Sequence, residues 1–151
     1  MVSDGHKALF GQFVEEVFHR GDVGAIDRFF TPNARIVDPG VEIRGPKALK
    51  PALSDLLTAF PDLHITVEEH IEEGDRLAVR YRGEGTHLGN WRGIPAQGTR
   101  ISYTGILIVR FAGNRITDYW AQPDLLGLLQ QLGAIRMAEP APAVVAATAG
   151  S

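Results

Sequence analysis

Residues 46–67, PKALKPALSDLLTAFPDLHITV, contain the change of pattern that decides the fold. Up to Phe60 the apolar side chains recur every three or four residues, which predicts an amphipathic helix with Pro46 in its first turn. From Asp62 onward apolar and polar residues alternate, which is the pattern of a half-buried strand. The helical apolar positions are Leu49, Leu53, Leu56, Leu57 and Phe60, and those of the strand are Leu63, Ile65 and Val67.

The chain before this stretch predicts two more helices and two short strands. Ser3 or Asp4 is expected to cap the first helix, and Gly21 to end it. Asp22 is expected to cap a short second helix. Strands are predicted at 34–38 and 41–45, on either side of a Pro39-Gly40 turn. The apolar positions of the two helices are Phe10, Phe13, Val14, Val17 and Phe18, then Val23, Ile26, Phe29 and Phe30.

The chain after it predicts a meander of strands and a final helix. Turn signals at Gly74-Asp75 and Gly113-Asn114 separate strands at 76–85, 101–111 and 115–122, and a Gly/Pro-rich loop, GNWRGIPAQG, joins the first two of these. The last helix is expected to begin near Asp124 and to stop at Gly133. Helices followed by an antiparallel meander predict an α+β fold with a bent sheet, and a pocket between sheet and helices. Residues 1–135 are expected to form one domain, and the Ala/Pro-rich residues 136–151 a flexible tail.

Composition excludes several classes of protein. The chain has 151 residues, 44% of them hydrophobic and 22% charged, with 15 Lys+Arg against 18 Asp+Glu and a net charge of −3. A nucleic-acid binder would show a basic footprint, so no nucleic-acid partner is expected. Without cysteine there is no thiol nucleophile, and the scattered histidines lack metal-ligand spacing, so no metal is expected. No apolar run approaches the ~18 residues of a membrane span, and the first residues lack a signal-peptide pattern, so a cytoplasmic protein without membrane association is expected.

Two aspartates at strand ends are candidates for acid/base chemistry. Asp38, in IVDPG, is either a turn residue or a pocket carboxylate whose pKa is raised by apolar neighbours. Asp124 is either the N-cap of the last helix or a catalytic carboxylate. A cap stabilises the charged form and so weakens a base, but Asn caps about as well and cannot accept a proton, which makes the two alternatives separable.

A histidine and four aromatic residues complete the candidate site. His87, in GTH, either satisfies loop backbone groups or donates a hydrogen bond to a substrate oxygen. Tyr81, Trp91, Tyr103 and Trp120 are expected to bind substrate, although core packing is the commoner role of aromatic residues on strands.

Three segments, taken in order, resemble the SnoaL-like polyketide cyclase family of the nuclear-transport-factor-2-like (NTF2-like) superfamily. They are HRGDVGAIDRFFTPNARIVDPG, then AFPDLHITVEEHIEEGDRLAVRYRGEGTHLGNWRGIPAQG, then ITDYWAQPDLLGLLQQLG. The FPD, GTH and closing DLLGLLQQLG elements are weak individually but specific as an ordered set. The resemblance covers roughly residues 5–135.

The resemblance implies a cone-shaped α+β barrel with one deep pocket, usually in a homodimer or larger homo-oligomer. It implies cofactor-free ring closure of a polyketide by intramolecular aldol condensation. Asp124 matches the family's acid/base position before the last helix, Asp38 matches a pocket residue at a strand end, and His87 matches a position that faces the pocket.

The sequence departs from several relatives. Polar side chains on the long third strand of anthracycline-type cyclases are replaced here by Gly105 and Leu107. Ketosteroid isomerases carry oxyanion donors where this chain has Val14 and Leu107, and the Arg-x-Asp pair of the superfamily's epoxide hydrolases is replaced by Arg100-Ile101-Ser102. These departures argue against isomerase and epoxide hydrolase activity, and those on the third strand weaken the assignment to the anthracycline-type cyclases.

The predicted function is a cofactor-independent, polyketide-cyclase-like enzyme that acts on a hydrophobic carbonyl compound. Asp124 is the first choice as base and Asp38 the second, with His87 and a tyrosine hydroxyl stabilising the enolate oxygen. The alternatives are a non-catalytic protein that binds a small molecule in the same pocket, and a cofactor-free hydroxylase of the same family.

Overall fold

The computed structural model describes residues 2–136 and 138. Helix α1 spans Val2–Phe13 and continues as a π-helical segment over Val14–His19. A 3₁₀ turn at Val23–Ala25 leads into α2 at Ile26–Phe29. Helix α3 covers Gly45–Ala59, and α4 covers Leu125–Gln131.

Two helix caps expected from sequence differ in the structure. Helix α1 already begins at Val2, which places Ser3 and Asp4 inside it rather than before it. Asp22 takes the predicted N-cap position before the 3₁₀ turn, but its side chain makes no capping hydrogen bond. The chain enters this turn through backbone bonds instead, with the Ala25 N–H donating to the Asp22 carbonyl at 3.1 Å.

The six strands form one mixed sheet. They are β1 (Phe30–Asp38), β2 (Val41–Arg44), β3 (His64–Glu73), β4 (Arg76–Thr86), β5 (Arg100–Ala112) and β6 (Arg115–Pro123). Their order is β2-β1-β6-β5-β4-β3, and all neighbours are antiparallel except β1 and β6, which are parallel. Strands β2 and β3 are the edges, so the sheet is not closed. The predicted α+β class and meander are confirmed, and β1 is longer than predicted because it begins at Phe30 rather than Ala34.

Alternation along the strands separates an inner face from an outer face. On β4 and β5 the buried residues fall at every second position, for example Leu77 and Val79 on one strand and Leu107 and Val109 on the other. The inner face packs on the N-terminal helices around Phe13, whose ring contacts the rings of Phe18, Phe29, Phe30 and Tyr119. The core is therefore one aromatic and aliphatic cluster between sheet and helices.

The packing of α3 on the sheet is incomplete, and this creates the site. Leu53 and Leu56 lie on the predicted apolar face of α3 but are only half-buried, because they border a cavity.

Every helix of the described residues is either too short or too polar to cross a membrane. The predicted tail, residues 136–151, lies almost wholly outside the described residues.

Candidate active site

A cavity of about 640 Å³ lies between the inner face of the sheet and the helices. Most of its wall is apolar, and among the described residues its charged lining side chains are Asp38, Asp55 and Arg92. A pocket that is largely apolar with a few convergent polar groups is typical of a small-molecule site. The apolar lining includes Phe10, Phe13, Val14, Phe30, Ile36, Leu49, Leu53, Leu107 and Leu128.

The cavity opens where its lining residues are exposed. These residues belong to the β1–β2 hairpin (Val41), to α3 (Asp55), and to the β4–β5 loop (Asn90 and Arg92). The mouth is therefore formed by a helix, a hairpin and a loop, while the sheet closes the opposite end.

Asp38 points into this cavity from the last position of β1. Ile36 is buried on the inner face, and strand alternation puts Asp38 on the same side. No described group donates a hydrogen bond to its carboxylate, and burial raises the pKa of Asp38, with the positive charge of Arg92 partly offsetting that rise. Raising the pKa of a carboxylate towards neutrality makes it a better proton acceptor. Asp38 both precedes the Pro39-Gly40 turn and lines the cavity, so the two alternatives given for it from sequence are compatible.

Two tyrosines of the cavity wall each lie across a glycine of the neighbouring strand. Tyr81 pairs with Gly105, and Tyr103 pairs with Gly83. A Cβ at Gly105 would lie 2.5 Å from the Tyr81 hydroxyl, and one at Gly83 would lie 2.6 Å from the Tyr103 ring. Each ring therefore lies over the glycine of the neighbouring strand. The two ring centroids are 6.3 Å apart, and the ring planes are at 90° to each other. The lack of a side chain at Gly105 makes room for the Tyr81 hydroxyl.

Three tyrosine hydroxyls face the cavity as neutral donors. Burial raises the pKa of Tyr103 to about 12. Burial also raises the pKa of Tyr81 and of Tyr119, and the nearby negative charge of Asp38 acts in the same direction on all three hydroxyls. None of the three makes a side-chain hydrogen bond to another described residue. They are available to a ligand oxygen, close to the base candidate.

Asp124 lies outside the cavity. Its carboxylate caps α4 by accepting a 2.9 Å hydrogen bond from the Gly127 N–H, and it is exposed beside Glu68 and Arg80 in a shallow groove on the outer side of the sheet. Its neighbours Pro123 and Leu125 line the cavity, so the side chain between them points the other way. The predicted cap is confirmed, while the structure does not bring this carboxylate together with Asp38.

His87 and Trp120 also lie away from the cavity. His87 is 1% exposed and stacks on Phe60 at 5.3 Å, and its Nε2 is buried with no hydrogen-bond partner in the described part of the chain. Trp120 pairs with Ile108 and Val37, whose side chains alternate onto the outer face. The catalytic role of His87 and the substrate-binding role of Trp120 stay predictions that this geometry does not support.

Of the predicted site residues, the structure therefore brings together Asp38, Tyr81, Trp91 and Tyr103. It adds Tyr119 and Arg92, which sequence reasoning did not place in the site. A signal for Tyr119 was available, since it shares its strand face with the buried Ala121. No comparable sequence pattern indicated Arg92, because the direction of its side chain depends on the conformation of the β4–β5 loop. Among residues 2–136 and 138, no three His, Asp or Glu side chains are grouped closely enough to hold a metal ion.

Comparisons with known proteins agree with this architecture. A model of the SnoaL-like polyketide cyclase family matches residues 8–132. An aklanonic acid methyl ester cyclase of Streptomyces peucetius is 32% identical over 124 residues, which cover 78% of this chain and 84% of that protein. Among solved structures, AclR, a candidate hydroxylase from Streptomyces galilaeus, superposes with a TM-score of 0.79 at 27% identity, covering 96% of this chain and 90% of that one.

A candidate polyketide cyclase from Acidithiobacillus ferrooxidans superposes with a TM-score of 0.76 at 29% identity, covering 88% of this chain and 97% of that one. The family match spans nearly all of the helices and strands described above, including both strands of the Tyr–Gly pairs and the α4 cap. The chain belongs to the SnoaL-like polyketide cyclase family.

Proposed function

We propose that this protein is a cofactor-independent cyclase that closes a ring by intramolecular aldol condensation of a hydrophobic polyketide, with Asp38 as the base. The observation that carries the proposal is a half-buried carboxylate that has no hydrogen-bond partner among the described residues, in an apolar cavity that also holds three tyrosine hydroxyls. Two related cyclases are named for polyketide methyl esters, aklanonic and nogalonic acid methyl ester. A methyl ester of this kind is the substrate class proposed here.

The chemistry assigns one role to each group. Asp38 removes a proton from the carbon next to one carbonyl, and a tyrosine hydroxyl donates a hydrogen bond to the enolate oxygen that results. The enolate carbon attacks a second carbonyl of the same molecule, and the new alkoxide takes the proton back from the Asp38 carboxylic acid. A positioned base contributes roughly 10²–10⁴-fold, and each preorganised donor roughly 10²–10³-fold. The cavity walls hold the flexible substrate in a folded conformation, which brings the enolate carbon close to the second carbonyl of the same molecule.

Asp124 remains the alternative base, because the family resemblance assigns the acid/base role to its position. For Asp124 to act, its carboxylate must release the Gly127 N–H and turn through the strand end into the cavity. Asp38 needs no such rearrangement, since its carboxylate already lines the cavity. This difference favours Asp38.

A second candidate function rests on the likeness to AclR, which is described as a candidate hydroxylase. Hydroxylation adds one oxygen to the product, whereas an aldol ring closure leaves the mass unchanged. A protein that only binds its ligand changes neither the structure nor the mass of that ligand. Mass spectrometry of the product therefore identifies a hydroxylase by the added oxygen. Chromatographic separation of the isomeric product from the unchanged substrate distinguishes a cyclase from a protein that only binds.

The deciding experiment compares Asp38→Asn with Asp124→Asn, using aklanonic and nogalonic acid methyl esters as substrates. Both substitutions keep the side-chain shape and remove the basic oxygen, and Asn still caps a helix about as well as Asp. We expect Asp38→Asn to lower kcat by about 10²–10⁴-fold and Asp124→Asn to leave it close to wild type. A folded Asp38→Asn protein with full activity would overturn the role of Asp38, and a loss confined to Asp124→Asn would transfer that role to Asp124.

We also propose that the protein acts as a homodimer or larger homo-oligomer in the cytoplasm. Support for self-association comes from the outer face of the sheet, where Ile106 and Ile108 are 54% and 41% exposed and Trp120 lies beside Ile108. Exposed aliphatic side chains next to one another on a sheet are unusual for a surface that contacts only water.

A further inference from the structure

The loop between β4 and β5 contains a two-residue turn with an unexpected residue in it. The Trp91 N–H donates to the Ile94 carbonyl at 3.0 Å, and the Ile94 N–H donates to the Trp91 carbonyl at 2.8 Å. Between them Arg92 has φ +51 and Gly93 has φ +80, which makes this a type I′ turn. The first position of such a turn favours Asn, Asp or Gly, because a left-handed backbone is unfavourable for a side chain like that of Arg. Arg92 is the one described non-glycine residue with positive φ.

Neighbouring residues hold this unfavourable turn in place and orient the arginine. The Asn90 side chain accepts a hydrogen bond from the Gly93 N–H at 3.2 Å. The Arg92 guanidinium lies 4.9 Å from the centroid of the Trp91 ring, and that ring packs edge-on against Phe60. Trp91 is 9% exposed, so the ring under the guanidinium is anchored in the core. Backbone strain that is supported in this way tends to occur at functional positions.

The charge of Arg92 is unpaired at the point where it enters the cavity wall. It is the single cationic residue among the described residues that line the cavity. Within residues 2–136 its guanidinium has no carboxylate partner within 4.0 Å, whereas Arg80, Arg82 and Arg110 on the outer face of the sheet are all in ion pairs. A guanidinium that is held over a buried ring and has its N–H donors free is well suited to bind a carboxylate or another anionic oxygen.

We propose that Arg92 is a specificity-determining residue that binds an anionic oxygen of the substrate at the cavity mouth. The carbon skeleton of the substrate then extends inward, towards Asp38 and the tyrosine hydroxyls. The preferred substrates are therefore polyketide methyl esters that carry, in addition to the neutral ester, an ionised oxygen at the end remote from the carbon that loses its proton. This inference rests on the proposed function for the identity of the substrate, but the binding site itself does not depend on turnover.

The test measures binding of 2-naphthoate and of 2-naphthamide by titration calorimetry. The two probes share one shape and differ in charge. We expect wild type to bind the carboxylate more tightly than the amide, and Arg92→Asn to weaken carboxylate binding about tenfold while leaving amide binding unchanged. The control is Arg115→Asn, which removes a charge at the start of β6 away from the cavity lining and is expected to leave both affinities unchanged.

Asn is the residue that the turn itself prefers, so Arg92→Asn is expected to have a Tm equal to or above that of wild type. Equal affinities of wild type for the two probes would overturn the proposal without reliance on any variant. Equal losses for both probes in folded Arg92→Asn would also overturn it, because they would show that Arg92 only shapes the loop. Activity that depends on Asp38 but not on Arg92 would leave the proposed function standing, and selective carboxylate binding without turnover would leave this inference standing.

Discussion

Asp38 and Asp124 are chemically identical residues at the ends of two neighbouring strands, Asp38 as the last residue of β1 and Asp124 directly after β6. They differ in burial, in hydrogen bonding and in access to the cavity. Asp38 is half-buried, lines the cavity and has a raised pKa. Asp124 is exposed and has its carboxylate engaged by the first turn of α4. Strand alternation turns Asp38 inward, where no described group donates to its carboxylate, whereas Asp124 is turned outward and accepts from the Gly127 N–H.

Alternation is the physical origin of the difference. On β6, Tyr119, Ala121 and Pro123 line the cavity, so the next residue, Asp124, falls on the opposite side. On β1, Ile36 and Asp38 share the inner side. A one-residue difference in position along a strand exchanges the two faces of the sheet.

Among the variants that test this difference, the largest effect is expected from removing a hydroxyl donor beside Asp38. Tyr119→Phe removes one hydroxyl from the cavity and keeps the ring that packs against Phe13, so we expect kcat to fall by about 10²-fold at unchanged stability. Trp120→Phe is the matched control on the outer face, and we expect it to leave kcat unchanged. Steady-state kinetics of both variants measure this, and an equal loss in the two would show that the loss does not come from the Tyr119 hydroxyl in particular.

A pH profile tests which carboxylate titrates in the reaction. Because burial raises the pKa of Asp38, kcat/KM should rise about tenfold per pH unit below that pKa and level off above it, at a pH higher than an ordinary aspartate would give. Arg92→Asn removes a charge that lowers the pKa of Asp38 and should move the rising limb to higher pH, whereas Asp124→Asn should leave it in place. A limb that shifts only in Asp124→Asn would contradict the assignment.

The raised pKa of Asp38 also makes the free energy of unfolding depend on pH. A carboxyl group with a folded pKa above its unfolded pKa stabilises the fold below the unfolded pKa, and this stabilisation is lost as pH rises through the folded pKa. Asp38→Asn should therefore be at least as stable as wild type at neutral pH, and its advantage should shrink in acid. Thermal denaturation at several pH values measures this, and a marked destabilisation at neutral pH would mean that the Asp38 carboxylate has a structural partner.

The smallest expected effect concerns the cap. Asp124→Ala leaves the Gly127 N–H without its side-chain acceptor and should lower the free energy of unfolding by about 1 kcal/mol, whereas Asp124→Asn should cost little. Denaturant titration of the pair, read beside their kinetics, separates the structural role of Asp124 from a catalytic one. A large loss of activity in Asp124→Asn at wild-type stability would reverse the comparison.

Sequence reasoning predicted the order and type of the elements well, and the site only in part. The switch of period at Asp62, the Pro46 helix start and the Asp124 cap are local signals, and the structure contains all three. Sequence reasoning named Asp38, Tyr81, Trp91 and Tyr103, which line the cavity because of alternation along one strand or because they lie in a loop next to a strand. It placed Asp124, His87 and Trp120 in the site as well, since family position and residue type do not indicate which way a side chain points.

The α+β class, the meander and the apolar inner face follow from the amino-acid sequence, because periodicity and turn chemistry act over a few residues. Which polar groups meet depends on how the whole chain packs. The parallel pairing of β1 with β6 sets Ile36 opposite Tyr119, and thereby brings Asp38 near a hydroxyl some 80 residues later in the chain. The β4–β5 loop then carries Arg92 to the mouth of the same cavity. Such contacts depend on how distant segments pack, and no pattern within a single segment records them.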